Sequence, residues 1–231
     1  MIQIHSIPDP IIHCDFENVY SPSDDSYLLI DYFKSKIDKH SFDGIKLHEI
    51  KNILDLGTGT GIIAIFFQMI KKYNLNFNPE IYASDILEEA IKCAKKNEKL
   101  NKIQNEITFL HSNLFVSFPE SLKNHFNIII FNPPYLPSLK LIEKNHSKKD
   151  IDYSWNGGLE GYEILIDFLR NAKFFLNLEK DHYIYCITSS RTNLKALNKK
   201  IIDFGYENKI VEKRHIFFED IFLYRLRYFL D

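Results

Sequence analysis

Two hydrophobic periods alternate along the chain. Asn52 to Leu56, Glu80 to Ser84, Ile107 to Leu110, Phe126 to Phe131 and His182 to Thr188 are short, apolar and rich in β-branched and aromatic residues, the pattern of buried strands. Residues 62–72, 88–99, 162–175 and 192–204 carry apolar residues at helical spacing, and Gly205 is well placed as the C-terminal cap of the last of these helices. An earlier helix is predicted from Leu28, Leu29, Tyr32, Phe33 and Ile37, which share one face. The Ser/Asp cluster ahead of it, within 20–26, is N-capping chemistry. Two β-type stretches, 206–212 and 217–229, close the chain and are near enough to pair as a hairpin. Five β-α alternations followed by a hairpin predict an α/β fold: a doubly wound, mostly parallel seven-stranded sheet ending in an antiparallel pair.

The remaining stretches add little chemistry. Residues 1–19 contain Pro8 and Pro10 and suggest an extended arm. Residues 137–154 are polar, carry Lys140, Lys144, Lys148 and Lys149, and read as a solvated surface insertion. No linker or internal repeat divides the 231 residues, so 1–231 is one domain with a short N-terminal extension.

Composition narrows the class without choosing a function. Hydrophobic residues make up 45% and charged residues 26%, the balance of a soluble globular protein. The longest apolar runs are too short to span a bilayer, and the N-terminus lacks an export pattern, so the expected location is cytoplasmic. A net charge of −2 gives no global attraction to nucleic acid. Cys14, Cys93 and Cys186 are far apart, odd in number and in no CxxC pair, which argues against a disulfide framework or a zinc site. The histidines form no ligand-spaced pair, so no metal is expected.

Two loops carry the candidate chemistry. Gly57-Thr58-Gly59-Thr60-Gly61 follows the first strand and opens a helix, the start of a βαβ nucleotide unit whose glycines let backbone N–H groups approach a ligand. Asp85 ends the second strand, where an acidic residue is placed to bind ribose hydroxyls. The second loop is Asn132-Pro133-Pro134-Tyr135. Two prolines cannot continue the strand before them, so the chain leaves the sheet in a stiff turn at the strand's C-terminal end, where open α/β sheets bind ligands. An amide side chain, proline-directed carbonyls and an aromatic ring suit a planar N–H donor.

The order Asp55-x-Gly57-x-Gly59-x-Gly61, Asp85, Asn132-Pro133-Pro134-Tyr135 resembles class I S-adenosylmethionine-dependent methyltransferases that act on planar nitrogens. Within them it is most similar to the HemK-like glutamine methyltransferases, which modify the Gly-Gly-Gln glutamine of peptide-chain release factors. Tyr20-x-Pro22-x-x-Asp25-Ser26 and Phe217-Phe218-Glu219-Asp220 resemble the short eukaryotic and archaeal branch, and Trp155-x-Gly157-Gly158 a segment of the family as a whole. The resemblance implies S-adenosylmethionine as cofactor, with Asp55, Gly57, Gly59 and Gly61 at its methionine part and Asp85 at its ribose. Thr58, Ile86 and Leu114 would complete the cofactor site, and Tyr20 and Ser26 would close over it from the arm and helix of 1–38. Asn113 stands where the family usually has Asp beside the adenine amine; its side-chain oxygen is still an acceptor, now neutral. Asn132, Pro133, Pro134 and Tyr135 would hold the substrate nitrogen, and Asn132 would border the cofactor as well.

The resemblance also implies a small zinc-binding activator subunit along an edge strand, here Ile107 to Leu110 with Phe109. Other readings are an adenine-N6 methyltransferase on RNA or DNA, which uses the same tetrapeptide, a non-catalytic cofactor-binding scaffold, and an NAD-dependent oxidoreductase. Near-neutral charge and the lack of a target-recognition domain count against the first. The intact tetrapeptide counts against the second. The third has no candidate acid/base beside the glycine loop.

Overall fold

The structure is a computed structural model that describes residues 7–73, 76–103, 106–138 and 156–229. Its main sheet has seven strands in the order β5-β4-β3-β6-β7-β9-β8. These are β3 (Asn52–Leu56), β4 (Glu80–Asp85), β5 (Ile107–His111), β6 (Ile128–Phe131), β7 (Tyr183–Ser189), β8 (Tyr206–Ile216) and β9 (Glu219–Tyr228). The first five in chain order run parallel, and β9 pairs antiparallel with both β7 and β8. The expected architecture is therefore present. The lysine-rich stretch within 137–154 and Trp155 lie largely outside the described residues.

Parallel strands must be covered on both faces, which is why the strand sequences read as unbroken apolar runs rather than alternations. All four residues of β6 are buried, with Ile128 and Ile130 in one core and Ile129 and Phe131 in the other. The first core is covered by α1 (Asp24–Lys36) and α2 (Ile62–Tyr73), beside which lies α3 (Glu88–Leu100). The second is covered by α4 (Glu163–Ala172) and α5 (Leu194–Asp203). Gly205 follows α5 with φ +84 and caps it as expected.

Several elements depart from the sequence reading. A two-stranded hairpin, β1 (Ser41–Phe42) with β2 (Ile45–Lys46), follows α1. Asp43 at its turn accepts from the hydroxyls of Tyr32 (2.8 Å) and Tyr185 (2.7 Å) and pairs with Arg225 (2.9 Å), pinning α1 to the sheet. The β5–β6 connection contains only a short 3-10 turn, Glu120–Leu122, instead of a helix; Phe115 and Phe118 cover the sheet there. Phe217 and Phe218 form the turn between β8 and β9 rather than the start of a strand. Ser23 sits at the N-cap of α1 but its side chain makes no capping bond. Asp25 accepts from the Ser26 N–H instead, at 2.6 Å.

Cys14 and Cys93 lie side by side, with Cα atoms 5.7 Å apart, a proximity that their spacing in the sequence does not suggest. The arm doubles back along α3, so residues distant in sequence become neighbours. Asn101 holds Ile11 through both its N–H and its carbonyl (2.8 Å each), and Asn97 accepts from the His13 N–H at 2.9 Å. Cys186 is free and fully buried.

Candidate active site

Chain order reverses between β3 and β6, which lie side by side with Leu56 opposite Phe131. β4 and β5 build out on one side, β6 and β7 on the other, so the crevice at the C-terminal ends of β3 and β6 is the topological switch point. The glycine loop leaves the sheet directly beside Asn132. A Cβ on Gly57 would stand 3.2 Å from the Phe131 ring, and Gly57 and Gly59 both have positive φ. Glycine is required there by backbone conformation and by close packing together.

A cavity of 620 Å³ opens at this point. Tyr20, Ser26, Asp55, Gly57, Thr58, Gly59, Asp85, Ile86, Asn113, Leu114 and the whole of Asn132 to Tyr135 line it. Gly61 does not: a Cβ there would meet that of Ala94 at 2.8 Å, so its place is to bring the start of α2 against α3. Its N–H closes the loop onto the Thr58 carbonyl at 2.8 Å.

The acidic residues are tied into the loop. Asp55 is buried below it and accepts from the Thr58 hydroxyl (2.6 Å) and the Ala64 N–H (3.2 Å). Burial pushes its carboxyl up to about 7, with those two hydrogen bonds opposing and the charge of Asp85 adding. Asp85 accepts from the N–H groups of Gly59 and Leu87, 2.9 Å each, and burial raises its carboxyl also. Two acceptor-rich carboxylates, a glycine cradle and a cavity of this size fit a cofactor with a positively charged amino-acid end and a ribose.

Among the described residues, Asn132 Oδ1 is buried and has no hydrogen-bond partner. A buried acceptor left open at a stiff loop is a place where a donor is expected to arrive. The loop is braced from behind. Gly157 donates to the Leu136 carbonyl at 3.0 Å, Thr192 Oγ1 donates to the Tyr135 carbonyl at 2.9 Å, and a Cβ on Gly157 would lie 2.6 Å from the Pro134 carbonyl oxygen.

Asp25, for which the sequence suggested only N-capping chemistry with its neighbours, takes a larger place in the site. It is 3% exposed, lines the cavity, and accepts from the Tyr20 hydroxyl (3.1 Å), the Ser26 hydroxyl (3.1 Å) and, more loosely, the Tyr135 hydroxyl (3.4 Å). Burial, followed by the charge of Asp25, pushes both tyrosines well above the usual phenol range. The carboxylate thus ties the start of α1 to the tetrapeptide loop. Its sequence signal was its place in Tyr20-x-Pro22-x-x-Asp25-Ser26; its contact with Tyr135 is tertiary.

A doubly wound sheet closed by an antiparallel pair, with a glycine loop and an Asn-Pro-Pro-Tyr turn flanking the switch point, is the architecture of a class I methyltransferase. The family model of the methyltransferase small domain matches residues 28–147, and the chain belongs to this family of S-adenosylmethionine-dependent enzymes. It is 32% identical over 203 residues to a putative protein N5-glutamine methyltransferase of Methanocaldococcus jannaschii, covering 88% of each chain. It is 39% identical over 173 residues to the release factor glutamine methyltransferase of Leptospira interrogans, covering 71% of this chain and 54% of that one. The chain therefore spans about half the length of the bacterial enzyme. Its fold matches that of Mtq2 in the E. cuniculi Mtq2–Trm112 complex, responsible for methylating the termination factor eRF1, with a TM-score of 0.61 at 20% identity over 91% of this chain and 99% of that one.

Proposed function

We propose that this chain transfers a methyl group from S-adenosylmethionine to the side-chain amide nitrogen of a glutamine in a peptide-chain release factor. The observation that carries the reading is Asn132 Oδ1, a buried acceptor with no hydrogen-bond partner among the described residues, in the cavity that also holds Gly57, Gly59 and Asp85. The names of the M. jannaschii and L. interrogans relatives support the substrate.

The cofactor supplies an electrophilic methyl on a positively charged sulfur. In this reading Asp55 and the glycine loop hold its methionine end, Asp85 its ribose, and Ile86, Asn113 and Leu114 its base. Tyr20 and Ser26 close the cavity from the side of α1. An amide nitrogen is a poor nucleophile because its lone pair is delocalised into the carbonyl. Asn132 Oδ1 and the Pro133 carbonyl each accept one N–H of the amide, and Tyr135 packs on its plane. Two acceptors fixed by a proline-stiffened turn favour a pyramidal nitrogen and aim its lone pair across the cavity, so positioning and electrostatics carry the rate. The proton leaves after methyl transfer, and no general base is required.

Asn132→Ala tests this assignment. Turnover on a release factor is expected to fall by roughly 10²–10³-fold, the usual cost of one lost polar contact to the reacting group. Calorimetric affinity for S-adenosylmethionine should stay within a few fold. Loss of cofactor binding with unchanged turnover per bound cofactor would move Asn132 out of the substrate site.

We further assign the outer edge β5 as the docking strand of a small partner subunit, zinc-binding by family resemblance. Among the described residues it has a neighbour on one side only, and Phe109 and Leu110 on it are only half-buried. An open edge of that kind needs a cover.

A further inference from the structure

We propose that the tip of the β8–β9 hairpin, Phe217-Phe218, is a docking element for the substrate protein, seating in an apolar depression beside the loop that presents the target glutamine. The proposal rests on the function proposed above. Each of the two rings is 89% exposed, the most exposed large apolar side chains among the described residues. Phe217 also has φ +45. A two-residue hairpin turn with positive φ calls for Gly or Asn, since an L side chain is strained there. Solvent exposure and backbone conformation thus each disfavour phenylalanine, and two consecutive phenylalanines stand there nonetheless. Strain and exposed aromatic surface held together beside a site point to recognition.

The tip stands at the rim of the cavity. Ile216 and Glu219, the residues on either side of it, line the same cavity as Asn132 and Tyr135. It is also held in place rather than trailing in solvent. Asp220 pairs with Lys213 (2.8 Å) and His215 (2.9 Å), and its backbone is bonded to Ser190 at the end of β7. Arg214 reaches across to Asp31 of α1 at 2.6 Å and to the Asp24 carbonyl at 3.3 Å. A rigid aromatic anchor loses little entropy on binding, which is what makes aromatic residues effective at interface centres.

Charge selects a protein over a nucleic acid as the occupant. Single-strand binders also present aromatic rings, but they set them in a groove of free cations. Here Lys213, Arg214, His215 and Arg191 are each paired with a carboxylate, those of Asp220, Asp31 and Glu219. Near the tip the stem therefore offers aromatic surface beside cations that carboxylates already engage.

The test is the double variant Phe217→Asn/Phe218→Ser in the full chain, which relieves the backbone strain while removing the rings. With an intact release factor, KM is expected to rise at least tenfold, equivalent to about 1.4 kcal/mol. kcat and cofactor affinity should stay unchanged and the melting temperature equal or higher. An unchanged KM overturns the proposal. So does a parallel fall in kcat or cofactor affinity, which would put the effect of the tip inside the cavity. Methylation of the release factor by the unsubstituted chain keeps the proposed function in force whatever the variant does. Its failure there, with methylation of RNA or DNA instead, overturns both.

Discussion

At the scale of single residues, Asp55 sets how the site responds to pH. Its carboxyl is moved from 3.8 to about 7, chiefly by burial. A carboxyl raised on folding binds its proton more tightly in the native state. Its contribution to stability is therefore complete below about pH 4 and is lost as pH rises through 7. Asp55→Asn should flatten the fall in urea midpoint between pH 4 and 7, and an unchanged slope would show that other groups carry it. A cation bound beside Asp55 favours the charged form. Binding of S-adenosylmethionine should accordingly release a proton and tighten as pH rises towards 7, which calorimetry in buffers of different ionisation enthalpy measures directly. That Asp55, Gly57, Gly59 and Asn132 meet in one cavity was legible because they stand at the C-terminal ends of adjacent strands. Asp25 was not, since its link to Tyr135 joins residues 110 positions apart.

At the scale of elements, the tetrapeptide loop depends on a brace from the segment that leads into α4. Gly157 lies against it so closely that an added Cβ would be 2.6 Å from the Pro134 carbonyl oxygen and 2.9 Å from the Tyr135 Cα. Both contacts are to backbone, which cannot swing aside as a flexible side chain can. Gly157→Ala should therefore shift the loop as a unit and lower turnover by about 10²-fold, the scale expected when reacting groups are displaced by an ångström. Cofactor affinity should hardly change, because Gly57, Gly59 and Asp85 belong to other elements. Parallel measurement of kcat and cofactor affinity checks this; equal losses in both would mean that the brace supports the whole cavity. The sequence marked Gly157-Gly158 only through the family resemblance. It missed the turn at Phe217-Phe218 for a physical reason: apolar composition signals strand, and this turn lacks the Gly, Asn or Asp that usually marks one.

At the scale of the whole molecule, the order of strands explains both the site and the exposed edge. Placing β3 and β6 at the centre brings the two loops together, and the same winding leaves β5 at one margin of the sheet and β8 at the other. The place of β5 at an edge came from the family resemblance, and the doubly wound sheet with its closing antiparallel pair was legible from the alternation of strand and helix patterns. The β1–β2 hairpin and the Cys14–Cys93 contact were not, since a two-residue strand has too few positions to show a period and arm packing leaves no local pattern. The two margins are finished differently. β8 is studded with charge, through Lys209, Glu212, Lys213 and Arg214, a common defence of an edge. β5 instead offers Phe109 and Leu110, between Thr108 and His111. A partner that adds to β5 binds the folded chain alone, so it must raise the melting temperature as its concentration rises, with the logarithm of that concentration once it exceeds the dissociation constant. At a hundredfold excess over its dissociation constant the gain is about 2.7 kcal/mol. Thermal scans with increasing amounts of a co-expressed small subunit measure it. A melting temperature that does not move with subunit concentration would leave β5 an uncovered edge.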